Sequence, residues 1–139
     1  MTNSPKFADA TATAAVTAVA SLLVSGYLEI YSGTQPVNAN TGIGASTLLS
    51  NGMRFPSGAF TFTIASGSAV ATAGSITSDT NATGTGTATW FRAYKSDGTT
   101  VVLDGSVGTA GCDLNLNTTS IVGGATVSCT AFTVTQSEG

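Results

Sequence analysis

The sequence predicts a mainly β protein, an antiparallel β-sandwich of about seven or eight strands preceded by one N-terminal α-helix. Three observations carry that expectation. Charged residues make up only 8% of the chain, and 25 Thr and 16 Ser supply the polarity instead. Thr is β-branched and fits a pleated, half-buried surface. The 17 Gly are scattered between short apolar segments, where Gly marks turns. Finally, apolar residues recur at three and four before Gly26 and at two beyond it, the change from a helical to a strand period. A chain of 139 residues suits one domain with one core. Disorder is the competing interpretation of so polar a composition, but it brings high net charge and few β-branched residues. Here the net charge is −3 and 42% of residues are hydrophobic.

Residues 1–6 read as a polar arm ending near Pro5. Residues 7–25 have helical spacing, with Phe7, Ala10, Ala14, Ala18 and Leu22 in one row, Val19 and Leu23 beside it, and Gly26 where a C-cap is expected. Residues 1–26 thus form an arm and helix, and residues 27–139 a β-sandwich domain, in one structural unit. A signal peptide is the rival interpretation, because Lys6 precedes the apolar run Ala14–Val24. Asp9, the Thr residues and the lack of a small-x-small site before LEIY stand against it. Asp9, Thr11, Thr13, Thr17 and Ser21 also interrupt any membrane span.

The strands are expected at 28–32, then at 47–50 and 53–55 around the turn dipeptide Asn51-Gly52. Residues 59–65 alternate, with Phe60, Phe62 and Ile64 on one face, and 69–77 follow after a Ser-Gly-Ser turn. Residues 85–95 and 99–107 flank Ser96-Asp97-Gly98 as a hairpin, and 112–117 and 125–136 complete the set. The intervening 33–46 is a loop rich in Gly and Asn. Core candidates are Phe60, Phe62, Ile64, Ile76, Trp90, Val102, Leu114, Leu116, Val127 and Phe132.

The chain contains no His, which removes the Ser-His-Asp triad, the Cys-His pair and His-ligated zinc. Its seven acids form no paired-carboxylate motif, so neither catalytic nor metal-binding residues nor a cofactor are expected. Asp79-Thr80-Asn81-Ala82-Thr83-Gly84 resembles the start of a calcium loop, but Trp90 stands where the bidentate Glu belongs. Lys6, Arg54, Arg92 and Lys95 are the only cations, too few and too scattered for a nucleic-acid or membrane-surface patch. In a strand, Trp90 and Tyr94 share one face and Phe91 takes the other, which reads as a strand buried on both sides rather than a stacking platform. Cys112 and Cys129 are a disulfide candidate. A hairpin centred between Ser120 and Ile121 would set them opposite each other at roughly 4.5–5.5 Å between Cα atoms. Two unpaired thiols and an intermolecular crosslink stay open as alternatives.

Several phrases resemble a group of small tailed-bacteriophage virion proteins: LEIYSGTQP (28–36), TLL (47–49), ITSDTNATGTGTATWFRAYKSDGTTVVLDGSVGT (76–109) and DLNLNTTSIVGGATVS (113–128). The resemblance covers most of residues 27–135. It implies a non-enzymatic structural protein of the virion, made in the host bacterial cytoplasm, and above all a capsid decoration (cement) protein. Its implied partners are the major capsid protein or other virion proteins, together with copies of itself, a trimer being favoured. Members of the group lack cysteine at positions 112 and 129, a departure that points to a bond added in this chain. A tail, neck or fibre component and a secreted binding or adhesin module are the alternatives. Val16, Val19, Leu22, Leu23 and Val24 are the interface candidates, unless the helix covers one face of its own sandwich.

Overall fold

The computed structural model describes residues 5–58, 60–65 and 67–138. Most of the expected N-terminal arm, Ala59 of the strand expected at 59–65, and Ser66 of the following turn lie outside them. The helix α1 spans Asp9–Leu23. It buries Ala12, Val16, Ala20 and Leu23, which recur at four, four and three residues and so share one face. The row Phe7, Ala10, Ala14, Ala18 and Leu22 is the outer one: Phe7 is 40% and Leu22 43% exposed, with Ala10, Ala14 and Ala18 between them also exposed. Small and hydroxylated side chains surround this helix, so its periodicity is nearly degenerate; the stripe holding branched Val16 and Leu23 removes more apolar area from water and wins. Ser25, not Gly26, takes the left-handed conformation that ends the helix, at φ 58°. Gly26 is needed for a different reason. A Cβ there would stand 2.1 Å from the Tyr94 carbonyl oxygen, where the chain enters the first strand.

Ten strands follow among the described residues: β1 Tyr27–Ser32, β2 Thr47–Arg54, β3 Thr61–Ala65, β4 Ser68–Thr72, β5 Gly86–Thr87, β6 Trp90–Tyr94, β7 Val101–Gly108, β8 Leu114–Leu116, β9 Ser120–Ile121 and β10 Cys129–Ser137. Eight form one sheet in the order β2-β1-β6-β7-β8-β10-β4-β3, while β5 pairs with β9. Pairing is antiparallel except between β7 and β8, which share two residue pairs in parallel. The large sheet rolls over on itself. β6 and β10 are three places apart in the sheet, about 14 Å if it were flat, yet Phe91 meets Phe132 edge-on with centroids 5.6 Å apart. Phe55, just beyond β2, reaches the same ring at 5.0 Å. These rings, with Phe60, fill the space between the two halves, giving the sandwich that the alternation predicted. The helix packs chiefly on β4 and β10 and shares this core.

Phe60, Trp90, Leu114, Leu116, Val127 and Phe132 are buried as expected, and Ile76 and Val102 pack partly buried against the core. Phe62 and Ile64 are not core residues, being 36% and 47% exposed. They keep the face that alternation gave them, but β3 is the last strand of the sheet, and among the described residues no further strand pairs beyond it. Asn51-Gly52 makes no hairpin turn either. β2 runs straight through it, with the pairing to β1 shifting between Leu28 and Ile30 as in a bulge.

Candidate functional site

Strand alternation separates the residues of β1 and β6 into two sets. Leu28, Ile30, Phe91 and Ala93 enter the core, while three cross-strand pairs occupy the opposite face: Tyr27 with Tyr94, Glu29 with Arg92, and Tyr31 with Trp90. Tyr31 and Trp90 stack with centroids 4.5 Å apart and planes 15° apart. Arg92 donates from Nε and Nη2 to the two carboxylate oxygens of Asp104 on β7, at 2.7 and 2.8 Å. Its Nη2 also donates to the Thr41 carbonyl at 2.7 Å. The guanidinium is held charged, its pKa raised chiefly by the hydrogen bonds to Asp104. Tyr94 donates to Glu29 Oε2 at 2.8 Å, and the Tyr31 hydroxyl donates to the same oxygen. Burial, reinforced by that carboxylate, pushes the Tyr94 phenol up to about 12 and the Tyr31 phenol higher still.

This face is a mount for the loop 33–46. Thr89 donates to the Gly33 carbonyl at 2.7 Å, Arg92 holds Thr41, and the Trp90 indole N–H donates to Ser46 Oγ at 3.1 Å. Between these clamps the loop surrounds a cavity of about 410 Å³, and Val37 stands 93% exposed. The sequence placed Trp90 and Tyr94 on one face correctly. It did not single out Glu29, Arg92 and Asp104, although their alternation with core residues is legible in LEIY and WFRAY. Each of these charged groups is engaged with a neighbour on the sheet.

Asp79 opens the segment that resembles a calcium loop, but its oxygens are already occupied. Ser50 Oγ donates at 2.6 Å and the Gly52 N–H at 3.2 Å to Oδ2, and the Asn81 N–H donates to Oδ1 at 2.9 Å. Burial would raise its pKa, but these donors, Ser50 foremost, hold it below the ordinary carboxylate range. Gly52 makes the approach feasible, since a Cβ there would lie 2.6 Å from the Asp79 carboxylate. Asp79 therefore pins the irregular stretch of β2 to the segment that crosses it. Among the described residues, no three His, Cys, Asp or Glu side chains gather as metal ligands would.

The disulfide expectation is overturned, because Cys112 and Cys129 are both unpaired. Cys129 lies opposite Leu116, four residues from the partner expected for it. The cause is the connection between β8 and β10. Ser120–Ile121 is no hairpin apex but β9, paired with β5, and Val127 exchanges backbone hydrogen bonds with Asp79 at 2.7 and 3.0 Å. This excursion moves the β8–β10 register away from the simple hairpin. Cys112 instead lies over Gly108, where a Cβ would come within 2.6 Å of its Sγ. Burial pushes the Cys129 thiol up to about 11, against an opposing hydrogen bond from the Ala131 N–H.

The five interface candidates on the helix are divided. Val16 and Leu23 are buried in the chain's own core, and Val19 packs partly buried against it. Val24 is half-buried and only Leu22 is well exposed. The helix covers its own sheet. No helix among the described residues is long and apolar enough to cross a membrane.

The fold and this face define a β-sandwich whose polar clusters brace loops and strands. Comparison with family models, curated proteins and solved structures finds no match.

Proposed function

We propose that this protein is a structural component of a tailed-bacteriophage particle, a capsid decoration protein that binds the shell and does no chemistry there. The observation that carries this reading is that the charged groups set into the sheet are engaged by neighbours. Arg92 and Asp104 neutralise each other, Glu29 is engaged by two phenols, and Asp79 is surrounded by donors. Such a domain offers firmness and surface rather than a reactive group, which is what reinforcing a shell requires. The low charge of the chain, 8% of residues, gives little self-repulsion when copies crowd on a lattice. The resemblance of several phrases to phage virion proteins points the same way. The loop 33–46, fastened at Gly33, Thr41 and Ser46, presents Val37 as an apolar contact for the major capsid protein.

Adding purified protein to shells that lack it tests this. Saturable cosedimentation is expected, with shells that withstand higher temperature after binding. Val37→Asp should weaken binding about tenfold or more by placing a charge in an apolar contact, while thermal unfolding of the isolated domain stays unchanged. Absence of any binding to shells would overturn the proposal.

A further inference from the structure

The two edges of the large sheet are treated differently. The outer edge of β2 is closed by the segment that follows β4: Arg54 and Thr77 exchange backbone hydrogen bonds at 3.4 and 2.9 Å, and the Thr83 and Gly84 N–H groups donate to the Leu49 carbonyl at 2.9 and 3.1 Å. At the other end, the ladder to β4 is the only backbone pairing of β3 among the described residues. An open edge is a template for another strand, and proteins ordinarily blunt it with charge, Pro or a bulge. β3 has none of these. Its register with β4 is unbroken, and the 24 residues from Phe55 to Ser78 include no charged side chain. Phe62 and Ile64 stand exposed along it, beside a cleft of about 100 Å³ that the helix lines with Ala20 and Val24.

We infer that this edge pairs with the same edge of a second copy, joining two sheets across a two-fold axis at Thr63. The sequence TFTIA is complementary to itself in that register. Phe62 of each copy lies opposite Ile64 of the other, and Thr63 lies opposite Thr63. Aromatic with β-branched pairs, and Thr with Thr, are favourable cross-strand neighbours. Both apolar pairs fall on the face where the cleft runs. A ring closed through sheet edges would need two different edges, and the β2 edge is already taken, so the pairing is two-fold. This inference concerns the isolated chain and stands apart from shell binding.

Sedimentation over a range of concentrations tests it on the full-length protein. The wild type should approach twice the 13.7 kDa chain mass. Phe62→Lys/Ile64→Lys puts like charges opposite each other in both pairs and should sediment as a monomer with unchanged circular dichroism. Phe62→Glu/Ile64→Glu should do the same. Mixing the two variants should restore a dimer holding one copy of each, which mere loss of folding could not produce. A wild type that stays monomeric overturns the inference, including the case where amides 61–64 resist exchange because the N-terminal arm covers them. A dimer indifferent to the Lys substitutions also overturns it.

Discussion

Asp79 replaces a turn with a tether. Asn51-Gly52 would favour a hairpin on its own, but the carboxylate gathers the Ser50 hydroxyl and the Gly52 N–H and holds β2 continuous. Removing it strands the buried Ser50 hydroxyl and frees the Gly52 and Asn81 N–H groups, so Asp79→Ala should lower stability by on the order of 3 kcal/mol, read from the urea midpoint. The pKa of Asp79 is lower in the folded chain than the ordinary unfolded value of about 3.9. Its contribution is therefore complete above that value and is lost as pH falls through the folded pKa. Asp79→Asn should flatten the loss of stability below about pH 4, and an acid limb as steep as that of the wild type would contradict this role. The cysteines make a simpler prediction. Both thiols should alkylate after denaturation without reductant, and reductant should leave the melting temperature unchanged. A mass two hydrogens short, with neither thiol alkylated, would show a bond.

Two adjacent helix residues test the packing of α1. Leu23 is fully buried and Leu22 is 43% exposed. Leu23→Ala should cost about 2–5 kcal/mol, and Leu22→Ala should stay within about 0.5 kcal/mol of wild type. Equal effects would mean the helix is rotated from the arrangement described. Deleting residues 1–25 uncovers part of the core and should cause aggregation. The loop 33–46 has its own test: Arg92→Met leaves Asp104 buried without its partner and should cost about 3–5 kcal/mol. It also releases Thr41, so cleavage by protease within 33–46 should accelerate. Several strand positions were legible in the sequence because residues 28–32 and 59–65 alternate and Ser96-Asp97-Gly98 joins β6 to β7 as expected. The helix face was not, because Ala and Thr line several sides of it and only tertiary burial of Val16 and Leu23 selects one. Long-range pairing defeated local reasoning twice, where β9 turned to β5 and where Asp79 claimed Gly52. The exposure of Phe62 and Ile64 was hidden for the same reason, since alternation gives the face of a strand and not its place in the sheet.

At the scale of the whole molecule, the eight-stranded sheet closes over a ring cluster of Phe55, Phe60, Phe91 and Phe132. The helix covers one part of it, and among the described residues the edge of β3 has no partner beyond β4. The resulting domain has few charges, and Arg92, Asp104, Glu29 and Asp79 are each engaged by neighbours within the fold. The proposed shell binding rests on the loop 33–46, and the inferred self-pairing rests separately on the edge of β3. The most direct measurement is to purify particles of the proposed phage, separate heads from tails, and quantify the chain in each fraction and in the medium by mass spectrometry. The account predicts intact chain in the head fraction, at a fixed ratio to the major capsid protein. Chain confined to the tail fraction, or absent from particles and secreted with its N-terminus shortened, would contradict it.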